Sequence, residues 1–330
     1  MKTWFWIIGW SLSILTIAGN GFIIFLVCSK RQLHTKTNAF VVSLAVADLC
    51  VGMSVVPPMF FCEMATGCKP ESYGINFVRW LFSYAVVTNL CSLVLDRYIA
   101  VVKPMKYLTL MTRRRVIQMV SFSWGIRAAL STISGLNWFV FKISLFYDII
   151  FWITVIFFEF LPCLMLTFCF ASMLHVICKL HRTSRTIAKQ LRFNHRILFT
   201  YQQKSAVKCM AVVIVLFLLC YGFYIRCTLV FIFHNGECND HEHKIPLLVV
   251  NSAINPVAYA FFKRDVKKEI KRLLCCVITK ERDNIERDHV DNCFTAEQER
   301  VNSISLSFGT NLWVIVLIDR SHLNMNKERE

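Results

Sequence analysis

Residues 3–28 read TWFWIIGWSLSILTIAGNGFIIFLVC and contain no Asp, Glu, Lys or Arg. A helix of about 20 residues crosses the roughly 30 Å hydrocarbon core of a bilayer, so this run is long enough to span it. Six further runs of the same kind follow at approximately 38–62, 75–98, 115–137, 147–178, 205–233 and 245–262. The sequence therefore predicts an all-α fold, a seven-transmembrane helix bundle.

The overall composition agrees with a lipid environment. Hydrophobic residues make up 56% of the 330 residues, charged residues make up 18%, and the mean hydropathy is +0.51. This is too apolar for an ordinary soluble domain. Most of the fifteen cysteines lie in apolar runs, where cysteine behaves as a small hydrophobe, so we expect no redox framework. The net charge of +16 comes with no nucleic-acid motif, so we expect no nucleic-acid partner.

The distribution of Lys and Arg predicts the orientation. The links at 29–37, 96–115, 179–204 and 263–272 contain three, six, seven and six of these residues, whereas the intervening links are nearly neutral. Cytoplasmic loops carry the excess of positive charge, where it faces anionic inner-leaflet lipid. We therefore expect a multi-pass plasma membrane protein with its amino terminus outside.

Two regions follow from the composition. Residues 1–276 form the predicted membrane domain, and residues 277–330 form a polar cytoplasmic tail that we expect to be mostly disordered. The apolar run 312–318 is too short to span a bilayer. It is a surface patch, an interaction segment or an error of gene prediction.

Four polar side chains lie within the predicted spans, where they are costly and mark candidate functional positions. They are Asn20, Asp48, Asn251 and Asn255. One interpretation is a hydrogen-bonded network that only holds the helices together. The other is a conformational switch, because Pro256 interrupts the helical hydrogen bonds beside Asn255 and permits a bend.

An acid and a base are adjacent at the inner end of the third span, in the triplet Asp96-Arg97-Tyr98. The carboxylate can pair with the guanidinium until a partner takes its place. The triplet is common by chance, and its place in the third of seven spans makes it specific.

Together the motifs of residues 10–276 resemble the rhodopsin-like (class A) G-protein-coupled receptors, with a general pattern similar to amine and adenosine receptors. The matching marks are Gly19-Asn20, Leu44 to Asp48, Asp96-Arg97-Tyr98, Trp124, Pro162, Phe217 with Cys220, and Asn255-Pro256 with Tyr259.

The resemblance implies a receptor that couples an outer ligand pocket to a heterotrimeric G protein, with Arg97 meeting the G protein. The implied coupling and switch residues are Asp96, Arg97, Tyr98, Asn255, Pro256 and Tyr259. Asn20, Asp48, Asn251 and Ser252 would form the polar core and a candidate sodium site. The implied short eighth helix would lie parallel to the membrane and end at two palmitoylated cysteines, Cys275 and Cys276.

Several positions depart from the family pattern. Ser72 replaces the cysteine of the usual outer disulfide, and Cys62, Cys68 and Cys238 leave a substitute bridge open. In the sixth span Tyr221 stands in place of the usual tryptophan. A non-signalling decoy receptor is therefore an alternative.

The ligand is not disclosed by the sequence. Arg79 stands eighteen residues before Arg97, where amine receptors of this family carry an aspartate. It would hold an anionic ligand or form a structural pair with Glu159, which could otherwise supply the counter-charge for an amine. The candidate pocket residues are Arg79, Ser83, Tyr84, Glu159, Tyr221 and Tyr224.

The short outer segments favour a small molecule, a lipid or a short peptide as ligand. We expect no cofactor and no metal. We also expect no enzyme, since no nucleophile elbow or phosphate-binding loop is present. A transporter or channel would call for inverted repeats, which the sequence lacks.

Overall fold

The computed structural model describes residues 3–65, 73–188, 194–234, 241–263, 265–273 and 275. All regular structure in these ranges is helical. The α-helices are α1 (Thr3–Ser29), α2 (Lys36–Ser54), α3 (Val56–Met64), α4 (Tyr73–Val102), α5 (Pro104–Leu110), α6 (Arg113–Leu136), α7 (Ser144–Thr154), α8 (Leu161–Ala188), α9 (Asn194–His234), α10 (His241–Phe262) and α11 (Asp265–Leu273).

Six helical segments within the described residues are long and apolar enough to cross a membrane by themselves. The seventh, Ile245–Phe261, reaches that criterion together with Asp265–Leu273, and the two are bent by 80°. Pro246 and Pro256 both lie inside this seventh helix. The prediction of a seven-transmembrane helix bundle with a short eighth helix is confirmed.

Two predicted spans are interrupted. The span predicted at 38–62 divides at Val55, because Pro57 and Pro58 at the start of α3 supply no amide hydrogen for a continuous helix. The span predicted at 147–178 comprises α7, a π-helical turn (Val155–Phe160) and α8. Single π-turns inside α-helices re-aim side chains and often occur at functional sites.

The third spanning helix, α4, is central to the bundle and packs against α2, α6 and α8. Trp124 of α6 donates its indole N–H to Ser43 Oγ of α2 at 3.0 Å. Ser43 in turn donates to Asn89 Oδ1 of α4 at 2.6 Å. These two bonds connect three helices at one level and thereby fix their register.

The first and seventh spanning helices approach closely at Gly19. A Cβ atom at this position would lie 3.1 Å from Pro256 Cγ. A side chain at position 19 would therefore push α1 and α10 apart by a few tenths of an ångström, and glycine allows their close approach.

Large apolar side chains are exposed around the bundle, among them Phe25, Phe122, Leu164 and Leu219. A soluble protein would bury such a surface, whereas a bilayer covers it with hydrocarbon. The exposed faces of these helices are therefore the faces expected to meet lipid.

The chain divides into two compact units, Met1–Lys271 and Arg272–Glu330. The first contains the bundle. Of the second, only Arg272, Leu273 and Cys275 lie within the described residues. The predicted boundary at residues 276 and 277, the disordered tail and the role of the run 312–318 remain predictions.

Candidate functional site

The inner end of α4 carries a hydrogen-bonded cluster around Asp96, whose side chain is fully buried. Arg97 donates to Asp96 Oδ2 from Nε at 2.9 Å. Thr37 of α2 donates to the same oxygen at 3.1 Å and accepts from Arg97 Nη2. Tyr107 of α5 donates to the other carboxylate oxygen at 2.9 Å. We call these four residues the inner lock, since they hold the Arg97 guanidinium against its neighbouring acid.

Thr37 and Tyr107 were not predicted from the sequence. The helix α5 begins with Pro104 at its first position, where the missing amide hydrogen costs nothing. This helix places Tyr107 toward Asp96 and leaves Met105 and Leu108 outward, 92% and 75% exposed. Burial, the largest cause, raises the pKa of the Tyr107 hydroxyl, so it remains a neutral donor at physiological pH.

Tyr98 lies apart from the inner lock. Its ring centroid is 6.2 Å from that of Phe168 on α8. The tyrosine of the triplet therefore packs between the third and fifth spanning helices.

The predicted polar core lies at the middle of the bundle. Asn255 donates to Asp48 Oδ2 at 2.8 Å, and Asn20 donates to the carbonyl oxygen of Ser252 at 3.2 Å. These bonds join α10 to α2 and α1. Asn251 is also buried. The structure thus brings the predicted asparagines, Asp48 and Ser252 to one region.

Two acceptors of the polar core have no hydrogen-bond partner among the described residues, Asn20 Oδ1 and Asp48 Oδ1. Buried acceptors in this situation are usually satisfied by a water or a cation. Their oxygen chemistry fits either of these. Tyr259, one turn beyond Asn255, is fully buried.

The outer half contains a second cluster, centred on Glu159 in the π-helical turn. Tyr84 of α4 donates to Glu159 Oε1 at 3.2 Å, and Thr228 of α9 donates to Oε2 at 2.8 Å. We call Tyr84, Glu159 and Thr228 the outer triad. It connects the third, fifth and sixth spanning helices through a buried carboxylate.

The Tyr84 ring has aromatic and cationic neighbours. It stacks on Trp80 at 5.4 Å and lies 5.2 Å from Phe158 between ring centroids. The Arg127 guanidinium carbon of α6 is 4.6 Å from the Tyr84 centroid. Arg127 and Thr228 were not identified from the sequence. Arg127 is a cation within an apolar run, so the criterion that marked Asp48 could have found it.

The remaining predicted pocket residues have other contacts. Arg79 donates to Asn76 Oδ1, lies 3.4 Å from Met59 Sδ and sits 5.8 Å from the Trp80 ring centroid. Ser83 donates to the carbonyl oxygen of Arg79.

Two tyrosines of the sixth spanning helix were also predicted to line the pocket. Tyr221 stacks on Phe217 at 4.3 Å. The side chain of Tyr224 lies outside the described residues.

The cysteines at the outer ends differ from the expectation of no redox framework. Cys62 and Cys227 are both disulfide-bonded. Cys68 and Cys238 lie outside the described residues. Of the two cysteines predicted to be lipidated, Cys275 is exposed and Cys276 lies outside the described residues.

Comparisons with known proteins all point to seven-transmembrane receptors. A family model described as "7 transmembrane receptor (rhodopsin family)" matches residues 19–259. The octopamine receptor beta-2R of Chilo suppressalis is 26% identical over 321 residues, covering 80% of this chain and 77% of its own. The histamine H2 receptor of Homo sapiens is 27% identical over 296 residues, with the same two coverages.

Two further comparisons extend this pattern. The adenosine receptor A2a of Homo sapiens is 25% identical over 296 residues, covering 80% of this chain and 70% of its own. Squid rhodopsin superposes with a TM-score of 0.67 at 19% identity, over 83% of this chain and 85% of that structure. The latter likeness supports the fold alone.

Proposed function

Because the chain belongs to the rhodopsin family of seven-transmembrane receptors, it is a G-protein-coupled receptor, and we propose that it transmits the binding of an extracellular small molecule through Arg97. Relatives named as octopamine, histamine and adenosine receptors support a small-molecule ligand. The receptor would act at the plasma membrane, with its amino terminus outside and its basic links facing a heterotrimeric G protein.

The inner lock carries this proposal. With Arg97 bound to Asp96 and Thr37, its guanidinium is held against α2 and α4. A G protein that accepts hydrogen bonds from Arg97 must compete with these contacts. The described conformation therefore corresponds to a resting state, and activation releases Arg97 toward the partner.

Two exposed apolar side chains beside the inner lock would add to the surface on which the G protein docks. Met105 and Leu108 lie on α5, the helix that also positions Tyr107. An apolar contact with α5 would shift Tyr107 and weaken its bond to Asp96. Docking and release of Arg97 would in this way be linked.

The outer triad provides the route for the ligand signal. Glu159 joins α4 to α9 through one hydrogen bond on each side. A ligand that displaces either bond changes how these helices pack. Since α4 also carries Asp96 and Arg97, such a change can bias the inner lock.

The polar core would transmit the change between the two ends. Asp48 and Asn255 connect α2 with α10 next to Pro256, where the helix is able to bend. A water or sodium ion at Asp48 Oδ1 would stabilise one arrangement of this region. We further propose that α11 lies along the inner leaflet and that Cys275 and Cys276 are palmitoylated there.

Ligand-free G-protein activation in cells tests the coupling. Wild type, Arg97→Ala and the control Arg114→Ala are compared at equal surface expression across the main G-protein classes. Arg114 is exposed at the start of α6, so the control removes the same charge from the cytoplasmic face. We expect a signal in wild type and Arg114→Ala that is lost in Arg97→Ala.

A variant with a weakened lock, Tyr107→Phe, is included to raise a low resting signal. Equal output from all variants in each G-protein class would contradict the coupling proposal. It would favour the alternative of a non-signalling decoy receptor.

A further inference from the structure

The start of α2 is held on two sides by neighbouring residues. Thr37 belongs to the inner lock, where its hydroxyl donates to Asp96 and accepts from Arg97. The next residue, Asn38, is 1% exposed, and its Oδ1 accepts a hydrogen bond from Nζ of Lys263. Adjacent residues of an α-helix point about 100° apart, so α2 meets α4 with one of them and the inner end of α10 with the other.

Lys263 occupies the corner between α10 and α11, where the chain bends by 80°. Its amide donates to the carbonyl oxygen of Tyr259 at 3.0 Å, and its carbonyl oxygen accepts from the amide of Lys267 at 2.9 Å. Both backbone groups of the corner are therefore bonded, one to each helix. The first turn of α11 is also packed, because Val266 is fully buried. The two helices thus determine where the lysine side chain begins.

Asn38 connects this corner to the first turn of α2. Its Nδ2 donates to the carbonyl oxygen of Leu33 at 2.6 Å, and its amide donates to Thr35 Oγ1 at 3.2 Å. Thr35 is the N-cap of α2, so Asn38 lies where the helix begins. A buried amide with bonded partners on both sides has little freedom to turn. A displacement of Lys263 is therefore passed to the backbone that carries Thr37.

The direction of the Lys263 side chain is unlike that of the lysines that follow it. Lys267 and Lys268 are exposed, as expected for cations that face water and lipid headgroups. Lys263 is half-buried and directed at Asn38. A hydrogen bond from a charged donor is stronger than one between neutral groups, so this contact favours one position of the corner relative to α2.

We propose that Lys263 and Asn38 are positioning residues for the inner lock: their hydrogen bond keeps the start of α2 where Thr37 reaches its two partners. The inference rests on the proposed function, since it adds a point of control to the same coupling site. The α10–α11 corner is in this way linked to the release of the guanidinium.

The inner lock depends on the place of Thr37 because its bonds share one carboxylate. Thr37 and Arg97 both donate to Oδ2 of Asp96, and Tyr107 donates to Oδ1. When Thr37 moves away, the carboxylate is free to turn, and it then holds Arg97 and Tyr107 less firmly. Loss of the contact at the corner should therefore loosen α5 and raise the resting activity.

Hydrogen–deuterium exchange of the purified receptor tests this connection without a G protein. Lys263→Met keeps the apolar stem and removes the donor, and the control Lys268→Met removes the same charge from an exposed position of α11. We expect the amides of residues 105–110 in α5 to exchange about threefold or more faster in Lys263→Met than in wild type and in the control. Unchanged exchange in α5 would overturn the proposal, because a purely local role would loosen only the start of α2.

Two further variants test the route. In a Thr37→Val background, Lys263→Met should add nothing to the exchange of α5, since the hydroxyl that connects α2 to Asp96 is already absent. An undiminished increase in that background would overturn the proposal. Asn38→Ala removes the acceptor and should also speed the exchange of α5, so the test stays valid if Lys263→Met does not fold.

Ligand-free G-protein activation at equal surface expression separates this inference from the coupling proposal. Lys263→Met should raise the resting signal severalfold, and the added substitution Arg97→Ala should abolish the gain. Faster exchange of α5 with no Arg97-dependent signal in any variant would contradict the proposed coupling alone. An Arg97-dependent signal that Lys263→Met does not raise would contradict this inference alone.

Discussion

Replacing Tyr107 by phenylalanine removes one of the donors that hold Asp96 and should raise the resting activity of the receptor. The hydroxyl is 2.9 Å from Asp96 Oδ1, and its loss leaves one oxygen of a buried carboxylate with fewer donors. Hydrogen bonds to charged groups contribute about 1.5–3 kcal/mol, and the lower end applies because Tyr107 is half-buried.

A difference of about 1.4 kcal/mol corresponds to tenfold in an equilibrium constant. If the bond is lost in the active state, we expect the ratio of active to resting receptor to rise up to roughly tenfold. The phenylalanine retains the ring and therefore the packing of α5.

The assay is ligand-free G-protein activation, followed by resonance energy transfer between G-protein subunits at equal receptor surface expression. Tyr147→Phe is the matched control, because it also removes a tyrosine hydroxyl. That hydroxyl lies in the outer part of the receptor, 3.5 Å from the carbonyl oxygen of Asn137. Resting activity that is unchanged or lower in Tyr107→Phe would refute the role of the inner lock.

Three further outcomes are expected. Gly19→Ala should lower the melting temperature of the purified receptor by several degrees, since the new Cβ would lie 3.1 Å from a side-chain atom of Pro256. Gly21→Ala is the control, because its new Cβ would lie 3.9 Å from the nearest neighbouring atom, and it should not lower the melting temperature. Equal melting temperatures of the two variants would contradict the close packing at Gly19. Met105→Ser should reduce G-protein activation severalfold at unchanged surface expression, and undiminished activation would exclude this side chain from docking. Trp124→Phe should lower the free energy of unfolding by about 1 kcal/mol, because it removes the 3.0 Å hydrogen bond to Ser43. Thermal unfolding measures the change, and a stability equal to wild type would show that the bond is not needed.

The helices and the polar core could be predicted because their signals are local in the sequence. A span requires only about 20 apolar residues, and a polar residue within it is conspicuous. Asp48 and Asn255 were recognised on these grounds, and the structure places them 2.8 Å apart between their polar atoms. That these polar residues could bond to one another was also expected from the sequence, whereas the particular pair depends on how the spans pack together.

The partners within the inner lock could not be predicted in the same way. Thr37 and Tyr107 are ordinary polar residues outside the apolar runs, and they are separated from Asp96 by 59 and 11 positions. Only the folding of α2 and α5 against α4 brings them together. Arg127 differs, because a cation within a span was visible in the sequence, although its aromatic neighbours were not.

The central claim is that the inner lock controls coupling through Arg97, and the double variant Tyr107→Phe with Arg97→Ala tests it most directly. Its ligand-free G-protein activation is compared with that of each single variant at equal surface expression. We expect the gain from Tyr107→Phe to disappear and the double variant to match Arg97→Ala alone. A double variant that keeps the raised activity would contradict control of coupling through Arg97, because Tyr107 would then act without the Arg97 guanidinium.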